Sequence, residues 1–184
     1  MPVFYHLVTR QAVHERQVFD FSQGQTNWQA KFFLEHGEQL PLDRLLKTPR
    51  LTLTPAQTTQ LRRDRDRQAH ALRESLLELV RLRDHPMYPS RLRCLFVASS
   101  YQQALTWRDL FEKEGRQVLQ LVQVTTDGPT FAGDATLLPA TDGAAISTKL
   151  AAAATYWNTP ATGERLGEVL LGGRIVVTRI VRTF

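Results

Sequence analysis

From Thr54 to Pro86 the chain runs without a glycine, and Pro55 and Pro86 stand only at the two ends of that stretch. Thr54 suits an N-cap, and Pro55 suits the first helical position, where the missing N–H costs nothing. Leu61, Leu72, Leu76, Leu79 and Val80 recur at helical spacing until Asp84-His85-Pro86 closes the pattern. The spacing predicts one long helix, the longest in the chain. Its apolar residues gather in the second half. The first half carries Arg62-Arg63-Asp64-Arg65-Asp66-Arg67 and is expected to project into water as an ion-paired face.

The core must therefore come largely from elsewhere. Residues 3 to 9 (VFYHLVT) and 17 to 21 (QVFDF) are rich in β-branched and aromatic residues and read as strands. A mildly helical stretch follows from Trp28 to His36, and Pro41-Leu42-Asp43 can open a short helix. Beyond the Met87-Tyr88-Pro89-Ser90 loop, the apolar run at 94 to 98 (CLFVA) reads as a buried central strand. Ser99-Ser100 can cap a helix over 101 to 114, with Ala104, Leu105, Trp107, Leu110 and Phe111 inward and Gly115 as its stop. A strand at 118 to 124 leads to a turn at Asp127-Gly128-Pro129. An alanine-rich helix at 144 to 155, a polar loop at 158 to 163 and a final strand at 174 to 181 complete the pattern. Gly172-Gly173 reads as a tight turn into that last strand. This is a mixed α+β pattern, one domain over residues 1 to 184, with strands that pair across long stretches of sequence.

Composition narrows the function classes. The chain has 184 residues with 42% hydrophobic and 22% charged content, which is ordinary for a globular domain. No apolar run is long enough to span a bilayer, and the N-terminus does not read as a secretory signal. A cytoplasmic place of work is the expectation. Cys94 is the sole cysteine, which excludes an internal disulfide and a multi-cysteine zinc site. The histidines (His6, His14, His36, His70, His85) lack metal-ligand spacing, so no metal is expected. A net charge of +5 and a pI near 9.8 favour polyanionic partners. Gly-rich phosphate loops and nucleophile-elbow serines are absent.

Three places remain that can carry chemistry. The first is Phe4-Tyr5-His6-Leu7-Val8-Thr9, where a histidine interrupts an apolar strand. The second is Tyr88-Pro89-Ser90-Arg91, running into the strand at 94 to 98 and the helix bearing Ala104 and Trp107. The third is Tyr156-Trp157, followed after a loop by Gly167-Glu168-Val169-Leu170-Leu171-Gly172. In this order they resemble a group of small bacterial proteins of the ADP-ribosyltransferase superfamily. That superfamily is marked by a first-strand His or Arg, a Ser or Tyr motif on a central strand, and a late glutamate.

The resemblance implies a mixed, split β-sheet core with a long helical insertion. It implies NAD as co-substrate and transfer of ADP-ribose to a macromolecular acceptor, protein or nucleic acid, or NAD hydrolysis where no acceptor is present. An effector of bacterial toxin type, with an antitoxin or immunity protein as partner, fits this picture. The pyridinium leaving group of NAD is already positive, so the charge that develops lies on the ribose. A carboxylate on the 2′-hydroxyl stabilises that charge more than the ground state, and Glu168 would take that role. By the same resemblance His6, with Tyr5 and Thr9, would hold the adenosine half. Ser90 and Arg91 would line the pocket, Arg91 on the pyrophosphate, and Tyr156 or Trp157 would stack on a flat ring. Two departures stand out. His6 and Thr9 are three residues apart and face opposite ways on an ideal strand. Leu166, two residues before Glu168, occupies the position of the second acid of arginine-modifying enzymes, with Glu164 two further back.

Each residue also has a plainer reading. His6 fits a strand histidine bonded to a backbone carbonyl. Glu168 fits an exposed glutamate at a strand entry, and Ser90-Arg91 a turn with a surface ion pair. Tyr156, Trp157 and Cys94 fit a core. The alternative function is a catalytically silent relative that binds nucleic acid or a protein partner. A third is a structural or immunity-type protein whose Arg62 to Arg67 run contacts an acidic partner.

Overall fold

The computed structural model describes residues 2–37, 39–49, 52–161 and 166–184. Among them lie seven strands and five α-helices in an α+β arrangement of two sheets. The strands are β1 (Phe4–Val8), β2 (Val18–Asp20), β3 (Leu95–Val97), β4 (Gln120–Thr126), β5 (Thr130–Asp134), β6 (Gly167–Leu171) and β7 (Arg174–Thr183). The helices are α1 (Trp28–Leu34), α2 (Leu42–Leu46), α3 (Pro55–Asp84), α4 (Tyr101–Lys113) and α5 (Ile146–Asn158).

The first sheet runs β1-β4-β7-β2 and the second β3-β6-β5, with every pairing antiparallel. Because side chains alternate across a strand, each sheet sorts its residues onto two faces. Val8, Val122, Val124, Ile175 and Val177 of the first sheet meet Leu95, Val97, Val169 and Leu171 of the second in one buried layer. On the outer face of the second sheet, Leu170 and Phe131 pack against Leu77 and Val80 of α3 and Ala153, Tyr156 and Trp157 of α5. On the outer face of the first sheet, Leu7 and Leu121 meet Ala104 of α4. A single bridge, Tyr5 to Ala98, stitches β1 to the chain just beyond β3.

Two of the crossings between sheets are tight corners. Asp127-Gly128-Pro129 carries β4 into β5, and Gly172-Gly173 carries β6 into β7. Gly172-Gly173 is thus a change of sheet and not a hairpin between paired strands. The corners touch: the Gly172 N–H donates to the Pro129 carbonyl at 2.9 Å, and the Thr126 hydroxyl donates to the Gly172 carbonyl at 3.0 Å. A Cβ on Gly128 would collide with the Gly172 carbonyl, so the approach requires glycine there.

The long helix is capped as its sequence predicts. Thr54 accepts from Gln57 N, and the Gln57 side chain accepts in return from Thr54 N, a reciprocal capping box. Its faces differ from the expectation. Leu79 is 56% exposed and Leu72 is also exposed, while Leu77 takes the core position with Leu76 and Val80. The arginine-rich half is not wholly solvated either. Asp64 and Arg67 are buried beneath the segment that follows α1. Arg67 donates to the His36 and Gly37 carbonyls, and Asp64 accepts from Gln39 N at 3.2 Å. Turned inward together, acid and base meet the backbone's needs, whereas Arg65 and Asp66 pair in water. The sequence pattern predicts no strand at Thr130–Asp134, where β5 forms, because Phe131 stands alone among small and polar residues after a turn.

Candidate functional site

The second and third motifs converge beneath the outer face of the second sheet. After α3 the chain is folded back by Arg81, which pairs with Glu78 and donates to the Pro86 and Tyr88 carbonyls at 3.1 and 3.0 Å. Ser90 Oγ donates to Glu78 at 2.9 Å. Asn27, the N-cap of α1, donates to the Arg91 and Cys94 carbonyls at 2.7 and 3.1 Å and fixes the entry to β3. Arg91 is thereby directed inward, 3% exposed.

Its guanidinium group serves three partners. Nε donates to Glu74 Oε2 at 2.9 Å, and Nη1 donates to the Tyr156 hydroxyl at 2.8 Å and pairs with Glu168 Oε1. The Tyr156 hydroxyl donates to the same Glu168 oxygen at 2.9 Å. Glu74 also takes Arg73 at 3.1 Å. Two acids and two bases therefore balance in one buried chain, Arg73–Glu74–Arg91–Glu168, closed by Tyr156. Burial works against the Glu74 charge, but the Arg91 and Arg73 guanidinium groups hold its pKa below the ordinary value. Burial also opposes the Arg91 charge, yet Glu168 and Glu74 raise its pKa well above the usual value. Burial lifts the Tyr156 phenol, and burial again raises the Cys94 thiol, leaving it a poor nucleophile.

Glu168 is a buried residue, 6% exposed, and not the exposed glutamate of its plainer reading. Nor is Arg91 in a surface pair. Helix α4 adds to this positioning, since Trp107 Nε1 donates to the Gly167 carbonyl at 2.8 Å. Tyr156 and Trp157 are fully buried core aromatics, with Trp157 Nε1 bonded to the Leu77 carbonyl at 2.9 Å. Trp157 packs against Tyr88, Phe131 and Tyr156, so its ring is part of the core and not a platform for a ligand.

The first motif goes elsewhere. His6 is in register with Val122 and shares its face with Phe4 and Val8, toward the layer between the sheets. Glu168 shares its face with Leu170, toward the helices. The two lie on opposite faces of the second sheet and do not line one cleft. His6 Nδ1 donates to the Phe96 carbonyl at 2.9 Å, closing the seam between β1 and β3. Burial lowers its pKa, and the Phe96 bond only partly offsets this. The Tyr5 ring meets Tyr101 edge-on and its hydroxyl accepts from Gln123 at 3.4 Å. Thr9, past the end of β1, lines a surface cavity of about 290 Å³ with Arg10, Trp28, Arg116 and Gln117. A broader groove of about 900 Å³, between Arg65, Ala69 and Arg73 of α3 and the loop at 138–143, includes none of the sequence-predicted site residues. Glu164 lies outside the described residues. Among the described residues no set of three or more His, Cys, Asp or Glu side chains could hold a metal, and no helix is long and apolar enough to cross a membrane.

Sequence reasoning missed Glu74, Glu78 and Arg81. A signal existed: with Leu77 they occupy 74, 77, 78 and 81, one face of a helix, so charges were threaded through an apolar stripe.

A model of the family described as "Protein of unknown function (DUF2441)" matches residues 4–183. The chain belongs to this family. A comparison with curated proteins finds no match. The family match spans β1 to β7, so the network around Arg91 and the seam at His6 both lie inside it.

Proposed function

We propose that this DUF2441 chain is a nucleic-acid-binding module on an ADP-ribosyltransferase-like scaffold, with no NAD chemistry of its own. One observation carries the reading: Glu168 is paired with Arg91 and Tyr156 on the face of the second sheet turned away from His6. A carboxylate that stabilises a developing ribose cation must meet it with an unspent charge. Here a guanidinium group already occupies that position. Buried cations such as Arg67, Arg81 and Arg91 are spent on internal pairs, while Arg62, Arg63, Arg174 and Arg179 remain exposed on a chain of net charge +5. That excess attracts phosphate by counterion release. The test is anisotropy of a labelled single-stranded oligonucleotide over a salt series, alongside melting with and without NAD. Binding that weakens linearly in log–log against salt, with Tm unmoved by NAD, is expected. A Tm raised by NAD with no oligonucleotide bound would overturn the reading.

A second reading is NAD-dependent mono-ADP-ribosyl transfer, or NAD hydrolysis, by an effector of toxin type. It is favoured by the convergence of Ser90, Arg91, Tyr156 and Glu168 from separate motifs around one ion-pair network. It requires Arg91 to leave Glu168 when substrate enters. Nicotinamide release by the purified chain, lost in Glu168→Ala, would establish it; equal turnover in both would remove Glu168 from the reaction.

A further inference from the structure

The cavity at Thr9 brings two cations together. Arg10 follows β1, and Arg116 lies in the connection from α4 to β4. The Arg10 guanidinium carbon sits 3.1 Å from the centroid of the Trp28 ring, and that of Arg116 lies 3.8 Å from the Phe111 ring. Among the described residues no carboxylate pairs with Arg10, and the acid beside Arg116, Glu114, is 4.0 Å away. Burial lowers the pKa of both, and Arg116 adds its repulsion to Arg10. Like charges drift apart unless something holds them. Here each is pinned by an aromatic ring. The indole, covered by Arg10 and stacked on Phe32 at 4.9 Å, braces a guanidinium group and is not a stacking platform for a base.

A pair of planar cations lining one cavity fits one ligand chemistry, a phosphate, which guanidinium forks recognise bidentately. Thr9 and Gln117 offer neutral donors on the same walls. At about 290 Å³ the cavity falls below the usual size of a site that encloses a whole cofactor. It suits one phosphate and its sugar, as part of a longer strand.

Resting on the nucleic-acid reading above, we propose that Arg10 and Arg116, with Thr9 and Gln117, form the site where a phosphodiester of a single strand is held. The experiment titrates a fluorescein-labelled oligo-dU strand with the full chain, the Arg10→Gln and Arg116→Gln variants, their double variant, and an Arg44→Gln/Lys47→Gln control at the exposed end of α2. Each single variant is expected to weaken binding about tenfold. The double variant should also lower the log–log salt slope by roughly 1.4, about 0.7 for each lost contact on a single strand. The control should bind nearly as the parent. Unchanged binding by the double variant with loss in the control would overturn the site and leave the nucleic-acid reading standing. No binding by the parent chain would overturn both. Competition separates the sources of phosphate: adenosine monophosphate should displace the strand only weakly. Displacement as effective, nucleotide for nucleotide, as by unlabelled strand would assign the cavity to free nucleotides and overturn the proposal.

Discussion

Arg91 is the residue on which most of the buried charge depends. Replacing it by methionine leaves Glu168 inside the protein with only a phenol for company, while Glu74 keeps Arg73. Removing one partner of a buried pair costs about 3–5 kcal/mol. Arg91→Met should lose that much in urea unfolding at neutral pH, and about 6–20 °C in Tm for a chain of this size. Glu168→Gln keeps an acceptor for both Arg91 and Tyr156 and should cost less than half of that, at most about 2 kcal/mol. Equal losses would mean that the network is not coupled as described. His6 makes a separate prediction. Its folded pKa lies below the ordinary 6.5, so the unfolded chain binds the proton more readily. The neutral ring's contribution is complete above that value and drains away as pH falls through the folded pKa. Glu74, whose pKa is also lowered, loses its contribution further down, below about 4.5. Stability should therefore fall from about pH 6.5 downward. His6→Gln should flatten the first part of that fall and leave the second. The plainer reading of His6 was legible because a lone polar ring in an apolar strand must find a carbonyl. The burial of Glu168 was not, because Arg91 and Tyr156, which meet it, come from the loop before β3 and from α5.

At the scale of elements, α3 separates what a pattern can tell from what packing decides. Its start was readable from Thr54-Pro55 alone, since capping is local chemistry. Its inner face was not, because leucines recur on two sides and only the sheet selects one. Leu77→Ala should cost about 2–5 kcal/mol, whereas Leu79→Ala, on the exposed side, should change stability by less than about 0.5 kcal/mol. Denaturant midpoints of the two variants check this, and comparable losses would refute the assigned face. The corners behave likewise. Gly128 and Gly172 each signalled a turn, but which sheets those turns join depends on pairings far away in sequence. Gly128→Ala should destabilise by about 1–3 kcal/mol by forcing the corners apart, and a wild-type Tm would show that the approach is looser than described. The strand β5 shows where the reading fails outright. Ala132, Gly133 and Asp134 lack strand propensity and are strands because β6 offers them an edge.

Across the whole molecule, three apolar layers and one ionic seam divide the work. The mixed α+β class was legible from strand and helix patterns, because those periods are properties of short segments. The split into two sheets was not, since β1 pairs with β4 and β2 with β7 over most of the chain. The motif order pointed to three regions, and two of them do converge. The first parted from them because alternation along β1 turns His6 toward the layer between the sheets, away from the face that carries Glu168. Truncation after Gly173, which removes β7, should leave β4 and β2 without their common partner. Loss of the cooperative unfolding transition is the expected result; a retained one would show that the first sheet holds without its middle strand.

That position of β7 sets the timing of assembly on the ribosome. Both sheet layers can hold strands ready early, yet the first sheet lacks its middle until residue 183 has been joined. Until then β2 and β4 have no strand between them, and the first sheet cannot close. The decisive act of folding belongs to the last stretch of the family domain to leave the exit tunnel.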